Sequence, residues 1–257
     1  MSNVHKLKVR QNISEKKAFK ELTIIRDTIF WIDVVGEGQN ENAIFARPFN
    51  HKDAFPQKLT SKKYNIKNQF HGYGGKSYKC IDFKNNFYLI WIDQLTNAIW
   101  FQIFKEVASN YRSQNKYLDP VQEPRQLSKS IDGNFDSSFV ISENFFLYGI
   151  CEIKKRDYLF SLNLKKTKQD IHRIKKFKNF AGDLSYNSAS LLSWLEWDSP
   201  YMPWEKNDLF FAQIDLDGDI KKIKKFSNNL VNDKKNVSFF QPYWISKTLL
   251  VLSLIHI

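Results

Sequence analysis

The sequence predicts an all-β fold, an incomplete β-propeller of about four blades plus the start of a fifth. Three observations carry this. The apolar segments are short, aromatic and β-branched, and they come in pairs separated by turn chemistry. Helical periodicity is nearly absent. Strand cores of similar composition recur every 45 to 60 residues or so, somewhat above the period of WD-type and kelch propeller repeats.

Strands are predicted at 22–25, 28–34, 43–48, 78–83, 87–93, 98–104, 138–142, 145–152, 158–163, 190–197, 208–215 and 248–252. The first repeat has its core at Ile29-Phe30-Trp31-Ile32, with a second strand at Ile44-Phe45-Ala46-Arg47. The next is Tyr88-Leu89-Ile90-Trp91, partnered by Ile99-Trp100-Phe101-Gln102. Phe146-Leu147-Tyr148-Gly149 and Tyr158-Leu159-Phe160-Ser161 form the third pair. In the fourth, Leu191-Leu192-Ser193-Trp194 is followed by the strand at 209–215, which runs into Asp215-Leu216-Asp217-Gly218-Asp219. Asp-Gly favours a tight hairpin there. A fifth core, Leu249-Leu250-Val251-Leu252, has no second strand after it.

Composition narrows the function classes. Seven Trp, eleven Tyr and 22 Phe among 257 residues supply ample apolar surface, which excludes a disordered or fibrous chain. The net charge of +12 is carried overwhelmingly by Lys rather than by the guanidinium fork that nucleic-acid recognition favours, so no nucleic-acid partner is expected. The basic runs at 154–156, 165–168, 175–178 and 221–225 follow apolar strands and are expected in solvated loops. Cys80 and Cys151 lie far apart without His or Cys at metal spacing and read as small buried hydrophobes. No apolar run approaches the ~18 residues of a membrane span, and the basic N-terminus lacks an apolar core. The expectation is a cytoplasmic protein with no membrane partner, no metal and no cofactor.

Three patterns imitate catalytic or binding motifs. Gly72-Tyr73-Gly74-Gly75-Lys76-Ser77 resembles the end of a phosphate-binding loop, but Phe70 stands where the first Gly belongs and a strand, not a helix, follows. Asp215, Asp217 and Asp219 resemble the start of a calcium loop, yet Lys224 occupies the position of the bidentate carboxylate, so a hairpin turn is expected. No Ser sits on a Gly-flanked elbow, and His5, His51, His71, His172 and His256 have no nucleophile placed for them. No catalytic residue is expected in this chain.

Two segments carry a family resemblance. Residues 194–205, WLEWDSPYMPWE, followed by NDLFFA and the Asp-Leu-Asp-Gly turn, resemble the propeller of prolyl oligopeptidase family serine peptidases, in the dipeptidyl and acylaminoacyl peptidase branch. There the segment commonly reads WLxWDHPxMPWD. Residues 71–78, HGYGGKSY, resemble that family's HEYGGGAY. Gly72 stands in place of the usual Glu, and Ser199 in place of the usual His.

The resemblance spans 19–251 and implies the following organisation. Residues 1–18 are an N-terminal extension, 19–251 a partial propeller of a seven-bladed whole, and 252–257 a non-native tail of the kind a library adapter encodes. The α/β-hydrolase domain that carries Ser, Asp and His in the family is absent. The implied parent hydrolyses short peptides, with the propeller capping the active site and gating substrate. Its partners are then the peptide substrate and the missing hydrolase domain. Trp194, Glu196, Trp197, Asp198, Tyr201, Met202, Trp204 and Glu205 become candidates for a substrate funnel or domain interface; packing between blades, or solvation for the acids, is the competing reading. His71, Tyr73, Gly74 and Gly75 are structural motif residues, the glycine pair serving a tight turn. The rival class is a propeller scaffold that binds proteins without catalysis, because fold alone does not decide function. A glycosidase propeller would need paired carboxylates on inner strands, and the sequence pairs none.

Overall fold

The computed structural model describes residues 19–35, 41–50, 54–72, 74–107, 117–226 and 237–256. The extension at 1–18, Tyr73 and Ile257 lie outside the described residues. Nearly all regular structure is strand, with a single 3-10 turn at Phe70–Gly72 among the described residues.

The chain divides into two compact units. The first, Met1–Asn65 with Ser109–Tyr117, holds one antiparallel sheet. Its strands, in order, are β1 (Lys20–Ile25), β2 (Thr28–Val35), β3 (Glu41–Pro48) and β4 (Gln57–Lys58). Phe30, Ile32, Ile44 and Ala46 are buried, and Trp31 stacks on Phe45 with ring centroids 6.0 Å apart.

The second unit carries the remaining sheets. One runs β5 (Tyr78–Phe83), β6 (Asn86–Asp93), β7 (Ala98–Glu106) and β8 (Leu118–Pro120), with β9 (Arg125–Gln126) also pairing with β7. The next contains β10 (Gly133–Ile141), β11 (Phe146–Ile153), β12 (Arg156–Asn163) and β13 (His172–Lys176). It is followed by β14 (Phe180–Tyr186), β15 (Leu191–Trp197), β16 (Asp208–Ile214) and β17 (Ile220–Lys225). Last comes a pair, β18 (Val237–Trp244) and β19 (Leu250–His256). Four full sheets and a two-stranded start of another make this an incomplete β-propeller. Residues 252–256, expected to be a non-native tail, form most of β19; Ser253 pairs with Phe240 and Leu254 with Phe239.

Burial explains why the middle strands were legible. Every residue of β6 from Phe87 to Asp93 is buried, as its near-continuous apolar run requires. Ile90 and Phe101 pack with Phe135, Phe139 and Phe160 between the second and third sheets. Tyr148 and Leu159 pack with Leu184, Leu192 and Trp194 between the third and fourth. Leu195 and Leu209 close on Phe239 of β18. Gly149 is required by this close packing: a Cβ there would lie 2.6 Å from the Phe160 ring and 2.9 Å from Phe139. Cys80 and Cys151 are both buried, and no disulfide joins them.

Two of the lysine runs depart from the sequence expectation. Lys175 and Lys176 lie in β13, and Lys221, Lys222, Lys224 and Lys225 lie in β17, so these stretches are strands and not loops. Each is the outermost strand of its sheet, with one edge unpaired. Lysines suit that position, since they keep an open edge solvated and discourage pairing with another chain.

The innermost strands show the opposite specialisation. β10, β14 and β18 each slip register in mid-strand, at Asp136/Val140, Gly182/Ser185 and Phe240/Tyr243. Asp183 and Gln241 take left-handed φ of 55° and 50° at these breaks. Such bulges re-aim side chains, and here they turn polar groups to the inner side of the unit.

Candidate functional site

The residues before β5 form a compact loop organised by Asn68. Its Oδ1 accepts the Phe70 amide at 2.9 Å, and its Nδ2 donates to the Lys76 carbonyl at 3.0 Å. Between these anchors the Gly74 amide bonds back to the Phe70 carbonyl at 3.1 Å. Gly74 has φ +89°, a conformation that side chains with a Cβ rarely adopt; Gly75 does not.

This loop carries His71 into the unit. Its Nε2 lies 2.9 Å from Asp157 Oδ2, and the two side chains are only 6% and 2% exposed. A carboxylate oxygen only accepts, so Nε2 is the donor. The same Asp157 oxygen accepts the Ala181 amide at 2.9 Å, and the His71 amide donates to Glu152 Oε2 at 3.2 Å. The imidazole stacks on Phe70 at 3.8 Å and meets Phe180 and Trp197 edge-on at 5.1 and 6.0 Å. One side chain thereby ties the β5 loop to β12 and to the start of β14.

Trp197 brings the second motif to the same place, stacked on Phe180 at 5.9 Å. The other motif residues separate into distinct environments. Trp194 is fully buried, parallel to Phe210 at 6.0 Å, and donates from Nε1 to Glu196 Oε1 at 2.7 Å. Glu196 also holds Lys175 at 3.0 Å. Asp198 accepts from Asn179 and from Lys178, contacts that hold its carboxyl below the ordinary value in that order. Glu205 closes its own loop by accepting the Met202 amide at 2.7 Å. Tyr201, Met202 and Trp204 present apolar surface to solvent, with Trp204 47% exposed. A cleft of about 510 Å³ opens beside this loop, lined by Trp197, Asp198, Tyr201 and Lys206 among others.

Asn207, just past the motif, is a residue that sequence reasoning missed. Its Nδ2 donates to the Pro203 and Phe239 carbonyls at 2.8 and 2.7 Å, and its Oδ1 accepts the Phe239 amide at 2.8 Å. It therefore pins the motif loop to β18.

A second concavity lies on the inner side. The inner strands β5, β10, β14 and β18 border a cavity of about 560 Å³, lined by Lys76, Lys79, Asp136, Ser137, Asp183 and Gln241 with their neighbours. Burial pushes the Asp136 carboxyl up, against the Ser138 hydrogen bond that favours the charged form. Asp183 is open to the solvent of the cavity, yet the crowding walls still raise its carboxyl, opposed by the Gln241 backbone and by Lys76 and Lys79. Lys79 is lowered, first by burial and then by Lys76. Of these residues the sequence drew attention only to Lys76, within the phosphate-loop-like string, and to none as a site residue.

No protein-family profile matches the chain, and no curated protein matches it in sequence. Solved structures do match in fold. Puromycin hydrolase superposes with a TM-score of 0.69 at 15% identity, over 94% of this chain and 36% of that one. A puromycin-hydrolyzing peptidase of Mycobacterium tuberculosis gives 0.69 and 15%, over 93% and 36%. The chain spans about a third of the length of these structures and matches within their propeller portion.

The fold is that of a β-propeller.

In this propeller the two sequence motifs are adjacent, joined through His71 and Trp197. His71 and His172 both direct Nε2 to an aspartate, Asp157 and Asp219, each at 2.9 Å. Asp215 Oδ1 accepts the Asp217 and Asp219 amides at 3.0 and 2.9 Å, so the calcium-like string is a hairpin turn between β16 and β17. Among the described residues no group of three or more His, Cys, Asp or Glu is placed to hold a metal ion. No helix among them is long and apolar enough to cross a membrane.

Proposed function

We propose that this chain is the N-terminal propeller part of a serine peptidase of the prolyl oligopeptidase family, acting on short peptides in the cytoplasm. The propeller caps the active site and admits substrates by size, while a hydrolase domain elsewhere in the parent supplies Ser, Asp and His. The observation that carries this reading is the match of 94% of the chain to about a third of puromycin hydrolase. The packing of His71 on Trp197 supports it, because it joins the two segments on which the family resemblance rests. A cap of this kind contributes by excluding water and sorting substrates, and the bond-making chemistry belongs to the other domain. Tyr201, Met202 and Trp204 are the surface we assign to the hydrolase domain, since an exposed aromatic cluster is suited to burial against a partner.

The test is to read the gene beyond this segment and assay its product. The expected result is a reading frame that continues into a Gly-x-Ser-x-x-Gly elbow followed by Asp and His. Its product should cleave aminoacyl and dipeptidyl chromogenic amides and be silenced by a serine-directed inhibitor, while the 257-residue chain alone gives no turnover. Inhibitor-sensitive turnover by this chain, or a parent without the elbow, would overturn the reading.

A further inference from the structure

The outer rim of the third and fourth sheets carries more positive charge than protection of an open edge requires. β17, with the sequence IKKIKK, is the outermost strand of its sheet, and every residue from Lys221 to Lys225 is exposed. Lys221 and Lys225 are matched by Asp215 and Asp208 at 2.8 and 2.7 Å. Among the described residues Lys222 and Lys224 have no acidic partner within ion-pair distance. The same holds for Arg173 and Lys176, both exposed on β13, the outermost strand of the sheet before it. His172, at the start of β13, reaches Asp219 of the β16–β17 turn at 2.9 Å, so the two strands border one stretch of surface. The edge of β17 is in any case blunted by a bulge, where Lys222 and Ile223 together oppose the single Ala212 and Lys222 takes a φ of 54°.

A second observation is independent of charge. Ile223 is 46% exposed, and Phe226, just past β17, is 41% exposed although it also meets Phe211 and Phe239 edge-on. An edge that served only to stay in water would not set such side chains among its lysines. Cations interleaved with apolar groups match the surface of an anionic bilayer, where ammonium groups meet the headgroups and apolar groups enter the boundary beneath them. A nucleic-acid backbone would use the lysines but would gain nothing from the aliphatic Ile223. Surface attachment needs no spanning run, so the sequence expectation of no membrane partner does not bear on it.

We propose that the rim formed by β13 and β17 binds the surface of a bilayer that contains anionic lipids. Arg173, Lys176, Lys222 and Lys224 face the headgroups, and Ile223 and Phe226 enter the interface. The attachment is peripheral and reversible, and it is independent of the peptidase reading.

Cosedimentation of the 257-residue chain with vesicles tests this, using phosphatidylcholine alone and phosphatidylcholine mixed with phosphatidylserine at about three to one. The chain should bind the mixed vesicles and not the neutral ones, and added salt should weaken the binding. Lys222→Ala and Lys224→Ala should each weaken it about fivefold, and the double variant about 25-fold. Ile223→Ser should weaken it by about tenfold through the lost apolar contact. Lys62→Ala with Lys67→Ala removes the same charge from exposed positions outside β13 and β17, and should change the affinity by less than about twofold. Every substituted side chain is exposed, so thermal melts should coincide, and the comparison of the two vesicles on the unaltered chain stands even if a variant fails to fold. Absence of binding, equal binding to neutral vesicles, or an equal loss in the Lys62 and Lys67 variant would overturn the proposal. A DNA duplex bound more tightly than the mixed vesicles, with Ile223→Ser without effect, would overturn it in favour of nucleic acid.

Discussion

Replacing His71 with alanine removes the donor that Asp157 Oδ2 meets at 2.9 Å, in surroundings where the two side chains are 6% and 2% exposed. Asp157 keeps the Ala181 amide but loses its side-chain partner. A hydrogen bond to a charged group contributes about 1.5–3 kcal/mol. The edge-on contacts with Phe180 and Trp197 add about 0.5–1.5 kcal/mol for a good aromatic pair. The expected loss is therefore about 3 kcal/mol. It is read from equilibrium urea unfolding followed by Trp emission, to which Trp197, its ring 6.0 Å from the imidazole, contributes with the other six Trp. His71→Phe retains the ring contacts and loses the donor, so it separates the two contributions. In a double-mutant cycle with Asp157→Asn, the coupling between the two positions should be about 1–3 kcal/mol. A loss below about 1 kcal/mol for His71→Ala, or effects that add to within about 0.5 kcal/mol, would refute the claim that this pair ties three sheets together.

Further outcomes follow from other positions. Gly149→Ala puts a methyl group 2.6 Å from the Phe160 ring and should cost about 1–3 kcal/mol by overpacking, whereas Gly182→Ala meets Trp197 at 3.3 Å and should cost less; thermal melts of both variants decide this. Asp136 has a raised carboxyl pKa in the fold, so above its ordinary value of 3.8 the folded chain retains a proton that the unfolded chain has released. Stability contributed by that group falls as pH rises above that value, and Asp136→Asn should gain on the parent chain as pH is raised from there, measured as urea midpoints. At the β16–β17 turn, Asp215→Ala deletes the acceptor of two amides and should lower the urea midpoint clearly, while Lys221→Met removes only a surface ion pair and should leave it nearly unchanged.

The middle strands of the blades were legible because they are buried on both faces. Such strands need unbroken β-branched and aromatic runs, as in β6 and β11, and no loop has that composition. The outer strands were not legible, since an edge strand facing solvent tolerates the lysines of β13 and β17 and so reads like a loop. β14, with the sequence FAGDLSY, was missed for a related reason: its bulge interrupts the alternation that a strand is recognised by.

The site divides in the same way. Both motifs could be read as strings, because the spacing of residues 71–78 and 194–205 is a property of the chain itself. Their meeting could not, since the His71–Trp197 contact is held in place by Asp157, which lies 86 residues from His71 and belongs to neither string. Trp194 and Trp204 look equivalent in the sequence, yet stacking of the blades buries one completely and leaves the other 47% exposed. The inner cavity is wholly a tertiary product. Lys79, Asp136, Asp183 and Gln241 sit on four strands whose local sequences carry no shared pattern, and only the radial arrangement of the sheets aims them at one volume. The chain's own sequence thus determined which segments become strands, through local apolar periodicity. The folded structure decided which polar groups face one another, because that depends on contacts between residues far apart in the chain.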